Sequence, residues 1–152
     1  MAIAPAASAE DKMTAYCVSL MFLAGLSAED IKEKKISVYY VLIFALSGIV
    51  FRVFTQFLWN EILWNEISWS FFPGSVLLLL AFLTKEDIGY GDGMCVLALG
   101  LWTGGWFALT VMCIGIMLAG IWGMVCIFRR KRETIPFVPF LLLGMEVALV
   151  YA

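Results

Sequence analysis

Two aspartates and a glycine-rich turn are the residues of this chain best suited to chemistry. Asp92 lies in Ile88-Gly89-Tyr90-Gly91-Asp92-Gly93, with glycine on both sides of the acid just before an apolar stretch. Such glycines permit unusual backbone angles and the close approach of another chain, as an extended peptide would require. Asp30 follows the first long apolar stretch, in Glu29-Asp30-Ile31-Lys32-Glu33. Two carboxylates held together can share one proton: the ionised member activates water, and the protonated member donates a hydrogen bond to a carbonyl oxygen. Histidine is absent from all 152 residues. That removes Ser-His and Cys-His nucleophile pairs, histidine general bases and HExxH zinc sites. The four cysteines, Cys17, Cys95, Cys113 and Cys126, stand singly in apolar stretches with no CxxC pair. They read as small packing residues rather than metal or redox ligands. No metal, no soluble cofactor and no nucleic-acid partner is expected.

The elements that must position these acids are membrane helices. With 63% hydrophobic and 14% charged residues and a mean hydropathy of +0.96, the composition excludes an ordinary soluble domain. A spanning helix needs about 20 mostly apolar residues. Six apolar runs are separated by charge clusters or by Gly, Pro and Asn: 13–28, 38–58, 71–84, 92–102, 106–128 and 137–152. The third and fourth are short, so they extend into their flanking loops or sit where the bilayer is thin. The runs are continuously apolar and lack the alternation of a barrel strand. The expected fold is all-α, a polytopic helical bundle of about six transmembrane helices. Residues 1–12 form a short extracytoplasmic tail and 13–152 the membrane domain. Residues 1–9 lack a basic n-region, which argues against a cleaved signal peptide. Gly100, Gly104, Gly105, Gly115, Gly120 and Gly123 are expected to let helix backbones approach closely.

Charge orients the bundle. Lys32, Lys34 and Lys35 follow the first run, Lys85 the third, and Arg129, Arg130, Lys131 and Arg132 the fifth. A six-span arrangement places these three loops on one side, and loops rich in Lys and Arg stay cytoplasmic. Both termini then lie outside, with the loop 59–70 and its tandem WNEIL and WNEIS, whose Trp59, Trp64 and Trp69 read as interfacial anchors. Arg129 to Arg132 serve as a topological signal facing anionic lipid headgroups. Arg52 either snorkels outward or pairs inside the bundle. Glu146, in the last run, has no explanation at this level, although an intramembrane acid is functional by default. Runs one and three both travel from outside to inside, so Asp30 and Asp92 emerge on the same face. Topology fixes that face and leaves their separation open.

Three segments resemble the type IV prepilin peptidases and their archaeal preflagellin relatives, intramembrane aspartyl proteases with a GxGD signature. Asp30-Ile31-Lys32-Glu33-Lys34-Lys35-Ile36 is similar to the first aspartate motif, Gly89-Tyr90-Gly91-Asp92 to the second, and Ile135-Pro136-Phe137-Val138-Pro139-Phe140 to the segment that opens the last helix. Together they cover the chain from about residue 13 to its end, in the family's order. The departures are Ser37-Val38 where Pro-Asn is common, and Met94 where lysine is common. The cytoplasmic domain with paired CxxC motifs found in many bacterial members has no counterpart here, so the chain resembles the short, peptidase-only form. Presenilin-like proteases use the same dyad chemistry, but their Tyr-Asp and Pro-Ala-Leu motifs are missing.

The resemblance implies catalytic Asp30 and Asp92, an active-site loop of Gly89, Tyr90 and Gly91, and pilin-like or pseudopilin precursors as substrates. Their short basic leaders would be removed at the cytoplasmic face of a bacterial or archaeal cell membrane. In the two active-site loops, Glu29, Asp30, Glu33, Glu86, Asp87 and Asp92 outnumber Lys32, Lys34, Lys35 and Lys85, a balance that draws a basic leader weakly. Glu29, Glu33, Glu86 and Asp87 are thus candidate substrate contacts, with solvated loop charges as the plainer reading. Asp92 opens a helix whose positive end favours its anion, whereas Asp30 is expected beyond a helix's carboxyl end, so helix dipoles lean toward Asp92 as the base. A rival outside the enzymes is a membrane scaffold or small transporter subunit with Asp30 and Asp92 as ion or proton sites.

Overall fold

The computed structural model describes residues 7–33, 36–59, 64–83, 89–130 and 135–151. They form six helices and, among the described residues, no strand: α1 (Ala7–Glu33), α2 (Val38–Trp59), α3 (Trp64–Leu83), α4 (Tyr90–Thr103), α5 (Gly105–Phe128) and α6 (Val138–Tyr151). An apolar chain in lipid must satisfy its own N–H and C=O groups, and the helix does so within one segment. By length and composition the stretches Glu10–Glu33, Val38–Thr55 and Gly105–Phe128 can each cross a membrane, while Ile67–Leu83 and Val138–Tyr151 are shorter apolar helices. Large side chains such as Leu46, Phe54, Met117 and Ile127 point outward, as helices facing lipid rather than water present them. The expected all-helical membrane bundle is what the chain forms.

α4 is the hub. It packs against α1, α2, α3 and α5, while α6 lies against α1 and α5. Leu23, Val41, Leu77, Val96, Leu99, Val111, Val138, Leu141 and Met145 are buried in one core drawn from all six helices. α1 and α2, consecutive in the chain, touch only marginally at the backbone. Their contact is made by side chains, Phe22 stacking on Phe44 with ring centroids 3.7 Å apart. Between α4 and α5 the chain turns on Gly104, whose φ of +98° suits a residue without Cβ. Its N–H donates to Gly100 O at 2.9 Å and its carbonyl accepts from Ala108 N–H at 3.0 Å.

Several local expectations change. α1 continues to Glu33, so Asp30 lies inside its last turn rather than in a loop. α3 starts at Trp64, so Trp64 and Trp69 sit on a helix rather than in the outer loop, of which 60–63 fall outside the described residues. The expected close approach holds at Gly100 and Gly105, which lie against the backbone of Ser70 and Trp69, but fails at Gly120. Gly120 has nothing within 4 Å of where a Cβ would stand. The tight α5–α6 crossing uses Gly115 with Gly144, whose absent Cβ would meet Val111 O at 2.8 Å and Gly115 N at 3.1 Å. Arg52 pairs inside the bundle: its Nε donates to Leu101 O at 3.0 Å, capping a carbonyl near the end of α4.

Candidate active site

Asp30 occupies the last turn of α1, where that helix meets α4 and α6, and it is only 6% exposed. A buried carboxylate needs hydrogen-bond donors. The start of α6 supplies one. Phe137 O accepts from Phe140 N–H at 3.0 Å and from Leu141 N–H at 3.1 Å, and Pro139 has no N–H to give. The amide of Val138 is left over, as at any helix start, and it donates to Asp30 Oδ2 at 3.3 Å. The third sequence segment thus reaches the first across the fold.

Asp92 lies in the first turn of α4. Its N–H donates to Gly89 O at 3.1 Å, and its carboxylate folds back so that a Cβ on Gly89 would stand 3.3 Å from Oδ2. Gly89 itself is extended (φ −64°, ψ 131°), a conformation any residue adopts. The glycines here therefore provide room and not unusual angles, which corrects the reason given to them from sequence. Gly91 makes room for a different neighbour, since its absent Cβ would come within 3.1 Å of Ile36 Cβ and Cδ1. The hydrophobic residue that closes the first aspartate segment is thus seated on the second.

Asp30 is near enough for its charge to act on Asp92, and both acids act on the thiol of Cys95. Two like charges at such range resist ionising together. Cys95 follows Asp92 by three residues and so shares its face of α4. It is buried, at 2% exposure. Around the pair, Gly89 and Tyr90 are exposed, Gly91 and Glu29 are half-buried, and Glu33 is exposed. Glu86 and Asp87 lie outside the described residues. Among the described residues no group of three Cys, Asp or Glu side chains could hold a metal ion.

Asp92 stands in the first turn of α4, as the helix-end lean toward it as base requires. Asp30 lies in the last turn of α1 yet accepts from the amino end of α6, so helix ends act on it in both senses. Sequence reasoning missed the Val138 amide and the seating of Ile36 on Gly91. The spacing of Cys95 from Asp92 was a signal available for the third member of the cluster.

Among known proteins, residues 17–124 match the model of the type IV leader peptidase family. The matched stretch holds Asp30 and residues 89–92 and stops short of 135–140. No curated protein and no solved structure matches the chain.

Proposed function

Because the chain belongs to the type IV leader peptidase family, we propose that it is an aspartic endopeptidase of the membrane that removes the basic leader from pilin-like or pseudopilin precursors. Asp30 and Asp92 are its catalytic pair. The observation that supports this reading is that Asp30, in α1, lies within electrostatic reach of Asp92, in α4, beside the exposed Gly89 and Tyr90. One carboxylate takes a proton from water as the oxygen attacks the scissile carbonyl, and the other carboxylic acid gives its proton to the carbonyl oxygen. Collapse of the tetrahedral diol breaks the C–N bond. The first acid passes its proton to the leaving nitrogen and the second recovers one from the diol, so the pair ends as it began. Gly89, exposed and without a side chain, leaves an extended segment space to approach the acids. The Lys- and Arg-rich loops favour the cytoplasmic face for this end of the bundle, where the leader of a precursor anchored by its own apolar helix would lie.

The test is co-expression with a pilin-like precursor. The wild-type chain shortens the precursor by its leader, and Asp30→Asn or Asp92→Asn leaves it full length. Processing at the wild-type rate by either variant rejects the pair. It would favour the scaffold or transporter reading, which tolerates loss of catalysis.

A further inference from the structure

We infer that the amino end of α6 divides the roles of the two acids: the Val138 N–H makes Asp30 the ionised, water-activating member and leaves the proton on Asp92. The inference rests on the peptidase reading and adds the assignment of base and acid, with Val138 as a positioning residue. The two carboxylates are unequally served. Asp30 is buried and accepts a backbone amide from another helix. Asp92 is half-buried, and among the described residues no donor meets its carboxylate. An N–H can donate but never accept, so it favours an anion opposite it. Helix ends do not separate the two acids, since Asp92 has the start of α4 and Asp30 has the start of α6 against the end of α1, so the direct hydrogen bond to Asp30 carries the asymmetry. With one proton between two like groups, even a modest asymmetry decides its place.

The groups around Asp30 do not reverse this. From α4, Asp92 and the thiol of Cys95 lie within its electrostatic reach. From α6 it faces the Val138 amide, while Glu146 and Tyr151, the titratable residues of that helix, sit about 12 Å or more further along it at 1.5 Å per residue. Its own helix adds Glu29, Lys32 and Glu33 in the same turn, of which Lys32 and Glu33 are exposed. In the hydrolytic step Asp30 therefore accepts the proton of water and later hands it to the leaving nitrogen. Asp92 protonates the carbonyl oxygen and is reprotonated when the diol collapses.

The chain has only four aspartates, Asp11, Asp30, Asp87 and Asp92, so side-chain labelling with carboxyl ¹³C gives four resonances, assigned with the two Asn variants. Titrating the full-length wild-type protein in detergent should show Asp30 charged and Asp92 protonated across the pH range of activity. Equal sharing, or charge on Asp92, overturns the inference whatever the variants do. The second arm is Val138→Pro, which deletes the amide at the helix position where proline fits best, beside Val138→Ala, which keeps it. The acidic limb of the pH profile should move upward by about one unit in the proline variant, a loss on the order of tenfold below the limb, as expected for a hydrogen bond to a charged group. In the alanine variant it should stay. Identical limbs in both variants would overturn the inference. Full activity of Asp30→Asn or Asp92→Asn would instead remove the peptidase reading beneath it.

Discussion

A carboxylate is ordinary in water and consequential once it is buried beside another. Asp30 is kept from solvent by α4 and α6, and Asp92 stands within reach of its charge. If this pair hydrolyses peptides, Asp30→Asn and Asp92→Asn each lower leader removal by at least about a hundredfold, the scale of lost acid–base catalysis, read as unprocessed precursor on a gel. The wild-type rate should rise and fall with pH as a bell, because both the doubly ionised and the doubly protonated pair are inactive. A profile flat across the carboxylate range would contradict it. The glycines before Asp92 make a narrower prediction. Gly91→Ala sets a methyl within 3.1 Å of Ile36, an overpacking that costs about 1–3 kcal/mol. Cleavage should fall while both acids remain, and Ile36→Ala should restore part of it by removing Cδ1 but not Cβ.

At the scale of the element, helix starts and helix crossings do the positioning. The Pro136-Phe137-Val138-Pro139 run begins α6 and leaves one amide free, and that amide is spent on Asp30. α6 is held at that height by its crossing with α5, where Gly144 meets the backbone of Val111 and Gly115. Gly144→Ala should therefore destabilise the protein by about 1–3 kcal/mol, since backbone yields less readily than a side-chain tip. Gly120→Ala, in open space on α5, should be neutral or stabilise by up to about 1 kcal/mol through helix propensity. Thermal unfolding of both variants in detergent separates the two outcomes. Equal melting temperatures would mean that the crossing does not limit stability. Arg52, bonded to Leu101 O at the opposite end of α4, fastens that hub where no acid of the pair is near.

For the whole molecule, the sidedness of the membrane has the largest consequence. If the basic loops are cytoplasmic, a phosphatase reporter fused after Arg130 stays silent, and one fused after Trp59 is active outside. The reverse pattern would put the acids on the face away from the cytoplasm and rule out processing there. Much of the architecture was legible along the chain. Six apolar runs became six helices, and the two acids could be assigned to one side, because hydropathy and charge are properties of short stretches. What the runs hid were their ends. α1 and α3 extend beyond the apolar residues, through Asp30 to Glu33 and Trp64 to Glu66, because a helix once begun adds one hydrogen bond for each further residue it fixes.

Residue types and their order along the chain determined by themselves that this is a helical membrane protein with a two-aspartate, glycine-turn pattern. Tertiary structure alone decided that Asp30 lies on a helix, that its partner donor is an amide 108 residues away, and that Gly91 exists to admit Ile36. The physical reason is one of range. Hydrophobicity and helix-forming tendency act between near neighbours in sequence, whereas a hydrogen bond or a missing Cβ matters only for whatever the packed helices bring to within a few ångströms.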